Sequence, residues 1–190
     1  MSTTNQFQKG ISFEDIYELY CFDNDLRNVF LKYILMVERN IKSSLSYHFC
    51  MEYGDMQSDY LDAKNYDYTG KKKSTINKML KIMSGQLRHD SDYIYIRHYM
   101  TTYQYVPLWV LMNVLTIGQL SKIYASQKGR IQIKVCQDFG PLKVNEMGKM
   151  LAVMTKFRNV CAHNDRLFDF RTKDALLDRN IYERLLIPKE

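Results

Sequence analysis

Proline and glycine are scarce in this 190-residue chain, with three and eight residues respectively. Sandwiches and barrels turn often and need more of both, so they are excluded and long helices are favoured. Of the four cysteines, Cys21, Cys50, Cys136 and Cys161, no two are close enough for a C-x-x-C redox or zinc signature. The four histidines, His48, His89, His98 and His163, form neither H-x-x-x-H nor H-E-x-x-H. No dedicated metal site and no cofactor is expected. A Gly-x-Ser-x-Gly nucleophile elbow is also missing. The opening MSTTNQFQKG lacks the apolar stretch of a secretory leader. The apolar run Val106 to Leu115 is broken by Asn113 and falls short of the ~20 residues of a membrane span. A cytoplasmic protein with reduced thiols, free of the membrane and forming one domain over residues 1–190, is expected.

Hydrophobic residues at 46% and aromatics at 13% exclude wholesale disorder. Lys and Arg total 27 against 21 Asp and Glu, a net charge of +6 that permits an acidic partner such as nucleic acid without requiring one. Ser12, with Asp15 three residues on, reads as the N-cap of a short helix ending near Cys21. Asp23, Asn24 and Asp25 read as a second cap. Leu26, Phe30, Tyr33, Ile34, Val37, Ile41, Leu45 and Phe49 then recur at three- and four-residue intervals, a long amphipathic helix that stops before Gly54. Residues 54–73 read as a long exposed loop ending in Lys71-Lys72-Lys73. That run lacks the earlier glycine of a phosphate-binding loop and is either a solvated basic loop or a contact for RNA phosphates. Further helices follow at 76–87, 92–105 and 108–115; Gly118 reads as an interruption, with Leu120, Ile123 and Tyr124 beyond it. Pro141 opens the last long helix, with Val144, Met147, Leu151, Met154 and Phe157 on its core face, and Thr172 caps a final short one. Only 93–96 and 130–135 alternate in a way that would suit a strand. The fold class is all-α, a helical bundle with extra short helices.

One segment carries chemistry: Lys156-Phe-Arg158-Asn159-Val-Cys-Ala-His163-Asn-Asp-Arg166. A continuous helix would put Asn159, His163 and Arg166 on one face. Arg158 would lie about 140° around from His163, within reach through its long side chain. Two guanidiniums, an amide and an imidazole suit a phosphate, since guanidinium binds oxygens bidentately and imidazole moves a proton near neutral pH. A polar helix end capped by Asn164 or Asp165 is the plainer alternative.

Arg158-Asn-Val-Cys-Ala-His163 resembles the R-x4-H motif of HEPN ribonucleases. Its surroundings resemble the bacterial abortive-infection (Abi-like, AbiD/AbiF-type) proteins, as do two further blocks, Phe13 to Arg27 and Pro107 to Ser121. The resemblance covers about residues 11–168. It implies a HEPN-like bundle in a phage-defence protein that acts as a metal-independent endoribonuclease. His163 would be the proton-transfer residue, Arg158 the transition-state stabiliser and Asn159 the group that orients them. Arg166 and Lys71, Lys72 and Lys73 would contact RNA. RNA brings its own nucleophile, the 2′-hydroxyl, so the protein need only move protons and stabilise charge. One motif supplies one imidazole, and a homodimer would supply two at one phosphate. Glu38 and Arg39 are either supports for such a site or simply the solvent face of their helix. A non-catalytic RNA-binding module or sensor, such as one bound to a small regulatory RNA, is the second reading.

Overall fold

The computed structural model describes residues 10–140 and 142–173. Pro141, the residues before Gly10 and the short helix expected after Thr172 lie outside the described residues. Among the described residues the fold is all-α, with eight α-helices, two 3-10 turns and no strand. No described helix is long and apolar enough to cross a membrane.

The two expected N-terminal helices are a single one. Helix α1 runs over Phe13–Tyr53, 41 residues or about 62 Å. It opens on the expected capping box: the Asp15 amide donates to Ser12 Oγ at 3.2 Å and the Ser12 amide to Asp15 Oδ2 at 2.8 Å. No Gly or Pro occurs between Gly10 and Gly54, so nothing in the backbone obliges a break. Asp23 does not cap; it is buried and ion-paired with Arg27 one turn on. The helix stops at Gly54, whose φ of 100° favours glycine. A Cβ there would collide with the Asp59 carboxylate.

Residues 54–73 are not the open loop that their polarity suggests. They form the short helix α2 (Gln57–Tyr60) and a 3-10 turn at Ala63–Asn65. Tyr60 and Tyr66 plug the core. The Tyr60 hydroxyl donates to the Val106 carbonyl and the Tyr66 hydroxyl to the Tyr60 carbonyl, both at 2.7 Å, so each ring is buried without orphaning its polar tip. Burial, with smaller contributions from neighbouring acidic groups, holds both hydroxyls well above the ordinary tyrosine pKa. Helix α3 (Lys72–Gln86) follows, so Lys71 to Lys73 lie at its N-terminal end rather than in a loop. Helix α4 is Ile94–Thr102, and α5 (Leu108–Leu111) continues into a 3-10 turn. Gly118 does not interrupt: Thr116 and Gln119 form a capping box for α6 (Ile117–Ser126), and Gly118 sits in its first turn against Thr155. The segment 130–135 is helical, within α7 (Gly129–Asp138), and α8 is Val144–Ala162.

Helix α8 packs between α1 and α6, with α3 on α6 and α7 against α1 and α8. Helices α1 and α8 run antiparallel. Asp23 meets the chain just beyond α8, Phe30 stacks on Phe157 at 5.8 Å, and Val37 and Ile41 share an apolar space with Met147, Leu151 and Met154.

Tyr60→Phe should destabilise the protein by about 1–3 kcal/mol, because the buried Val106 carbonyl loses its donor. Urea unfolding checks this, and a change under about 0.3 kcal/mol would mean that the carbonyl is not truly desolvated.

Candidate functional site

The far end of α8 is built to stop at a defined place. His163 is its C-cap; its amide still donates to the Asn159 carbonyl at 3.0 Å. Asn164 then turns left-handed, at φ 57°, a conformation that Asn tolerates better than most residues. The Asp165 amide returns to the Val160 carbonyl at 3.1 Å, the six-to-one bond of a Schellman closure. Helical geometry therefore ends before Arg166. Asn159 and His163 share a face, one turn apart, but Arg166 does not continue that face.

A buried carboxylate fixes the chain beyond this turn. Asp23 Oδ1 accepts the amides of Leu167 and Phe168 at 2.9 and 2.8 Å, while its Oδ2 pairs with Arg27. Arg27 in turn reaches the Asp165 carbonyl at 3.4 Å. Both neighbours of Arg166 are thus tied to α1, and its side chain is left exposed. Val160, Cys161 and Leu167 form a small second core here, packed by Leu26, Leu31, Phe157 and Phe170. Burial pushes the Cys161 thiol pKa up, as for an inert packing thiol. The Asp23–Arg27 pair is legible in the sequence as an i, i+4 acid–base spacing, but the neighbouring Asn24 and Asp25 make Asp23 read as a cap.

Arg158 is half-buried. Its Nε is shielded from solvent and has no hydrogen-bond partner, and its guanidinium has no ion-pair partner among the described residues. His163 and Asn159 are exposed. Around the helix these groups flank one edge, with Arg158 about 7.5 Å from His163 along the axis.

The remaining candidates lie elsewhere. Glu38 is buried and pairs with Lys42 at 2.7 Å, and Lys42 donates to the Leu115 carbonyl at 2.5 Å. Glu38 sits about two turns beyond Phe30, towards the start of α8 and away from His163. Arg39 is exposed. Lys72 pairs with Asp67 at 2.6 Å, and Lys73 lies over the Tyr68 ring at 5.5 Å. The Asp67 amide donates to the Ser126 carbonyl, and Tyr124, on the same last turn of α6, bonds the Val144 carbonyl. The three lysines therefore lie near the last turn of α6, whose Tyr124 reaches the start of α8, roughly 27 Å along that helix from its end. Among the described residues no three His, Cys, Asp or Glu side chains gather as a metal-binding group.

The fold and site define an all-α protein that presents an unpaired guanidinium and an exposed imidazole at one pinned helix end. A model of the Abi-like protein family matches residues 1–169, and the chain belongs to that family, the one whose resemblance ties it to abortive infection and phage defence. No curated protein and no solved structure matched.

Asp23→Asn should cost about 3–5 kcal/mol, since it leaves Arg27 buried without its counter-charge. The double variant Asp23→Leu/Arg27→Met should cost less than Asp23→Asn. Denaturant midpoints measure both, and a loss under about 1 kcal/mol for Asp23→Asn would reduce the pair to the worth of a surface ion pair.

Proposed function

We propose that this protein is an abortive-infection effector that cleaves RNA without a metal ion, using Arg158 and His163 from two copies of the chain. The observation that carries the proposal is Arg158. A guanidinium nitrogen withdrawn from water with no acceptor costs about 1–3 kcal/mol, and a phosphate oxygen would supply the missing acceptor. His163, exposed one turn after Asn159, is free to exchange protons with an RNA ribose or leaving oxygen. The 2′-hydroxyl attacks the adjacent phosphorus, one imidazole takes its proton, and a second protonates the departing 5′-oxygen. Arg158 stabilises the charge that builds on the phosphorane. The products are a 2′,3′-cyclic phosphate and a 5′-hydroxyl. Asn159 orients His163 or the phosphate, and Arg166, on its tethered turn, holds a neighbouring phosphate.

Two imidazoles at one phosphate require a second copy, and the surface beside the motif supports one. The first three turns of α1, which reach past the end of α8, leave large aromatic side chains in solvent along one face: Phe13 is 75% exposed, Tyr17 57% and Tyr20 61%, with their rings stacked in a row. A contiguous patch of this kind is uncommon on a monomer and suits an interface between copies. A two-fold pairing through it would bring the two α8 ends towards each other.

His163→Ala should lower the cleavage rate by about 10²–10⁴-fold while leaving RNA affinity within a few-fold, because proton transfer acts in the transition state. Arg158→Ala should lose both rate and affinity. Single-turnover cleavage of labelled RNA in EDTA tests this; a His163→Ala protein that cuts at the wild-type rate would leave only a non-catalytic RNA-binding role. Light scattering should show a dimer, and Tyr17→Glu/Tyr20→Glu should give a monomer that no longer cleaves. A fully active monomer would overturn the shared site.

A further inference from the structure

The net charge of +6 is spread unevenly. Between Lys64 and Arg88 there are six lysines and an arginine against one carboxylate, Asp67, so this stretch alone carries the whole excess and the rest of the chain balances. Helix α3 occupies most of the stretch. Its Ile76, Met79 and Met83 are buried, and its lysines all stand in solvent.

An open cavity of about 190 Å³ lies between α3 and α6. Lys71, Thr75, Lys78 and Ile82 follow one another at helical spacing along a single stripe of α3. The last three line the cavity, with Gln119 and Lys122 of α6 opposite them. The floor is apolar, built from Met79, Met83 and Ile123. Lys78 and Lys122 have no ion-pair partner among the described residues. The Gln119 carbonyl oxygen accepts the Thr116 amide at 2.8 Å, which leaves the two N–H donors of its side chain for a guest. The Thr75 hydroxyl has no partner among the described residues. An acyl chain would gain nothing from an amide and a hydroxyl inside the cleft. A nucleobase has apolar faces for the methionine floor and a polar edge for these groups, and its phosphates would meet the rim lysines.

We propose that the α3–α6 cleft seats one base of single-stranded RNA while Lys71, Lys78 and Lys122 hold the flanking phosphates. This makes it a docking track distinct from the Arg158–His163 end of α8. The two are linked through α6, since Gly118 rests on Thr155, eight residues and roughly 12 Å before His163. The assignment takes from the proposed function only that the polyanion is RNA, and it depends on no catalytic role.

The test is fluorescence anisotropy of a 5′-labelled 20-nucleotide single-stranded RNA with the full chain. Lys78→Glu/Lys122→Glu should weaken binding at least tenfold. Lys78→Gln/Lys122→Gln should lower the slope of log affinity against log salt by about 1.4, the loss of two single-strand phosphate contacts. Thr75→Trp, which fills the cleft without touching charge, should weaken binding several-fold, and circular dichroism confirms that each variant is folded. Affinity within twofold of wild type for the charge-reversed protein would overturn the track. So would equal competition by uridine monophosphate, by octanoate or by anionic phospholipid vesicles, which would make the cleft a small-anion or lipid site. His163→Ala separates the two ideas: if it still cleaves, the nuclease assignment fails while the lysine variants continue to decide the cleft.

Discussion

One buried carboxylate organises the end of this molecule. Asp23 takes the Arg27 guanidinium on one oxygen and the Leu167 and Phe168 amides on the other, and so fastens the chain leaving α8 to α1. Without it, the buried Leu167 amide would lose its acceptor and the buried Arg27 guanidinium would keep only its longer contacts with the Asn24 side chain and the Asp165 carbonyl. Interior ion pairs are retained at a desolvation cost, and this one is offset by two additional N–H donors to the same carboxylate. Its consequence is positional: α8 stops at the Asn164 turn, and His163 and Arg166 stand on either side of that corner rather than on a frayed helix end.

Arg158 shows the opposite arrangement. It is half-buried on α8, yet it does not share the carboxylate that serves Arg27. Two guanidiniums near one end of one helix pair are thus sorted into a structural one held by Asp23, Asn24 and the Asp165 carbonyl and one with no partner among the described residues. That contrast, together with the exposed imidazole, separates the proposed catalytic group from its scaffold.

Much of the frame is legible in the sequence, because helical periodicity over long segments without Gly or Pro has few other solutions. The Ser12–Asp15 box, the stop at Gly54 and the apolar stripe of α8 all follow from local rules. Asp23 does not, since an Asp-Asn-Asp run has the chemistry of a cap, and only tertiary burial by the chain 144 residues later gives it another use. Tyr60 and Tyr66 mislead for a related reason: a tyrosine counts as a polar loop residue until a carbonyl is supplied for its hydroxyl, and the fold supplies those of Val106 and Tyr60. Arg166 falls off the predicted face because the left-handed Asn164 ends the helix two residues earlier. The R-x4-H spacing is plain in the sequence, whereas the unpaired state of Arg158 can be seen only in the fold.

The proposed chemistry, transesterification of RNA by its own 2′-hydroxyl, would give one use to the cationic α3 and to an Arg158 without a partner among the described residues. The most direct measurement is the identity of the ends that the purified wild-type protein leaves on RNA in the presence of EDTA. Transesterification predicts 2′,3′-cyclic phosphate and 5′-hydroxyl termini; 3′-hydroxyl and 5′-phosphate termini, or intact RNA at stoichiometric protein, would contradict it.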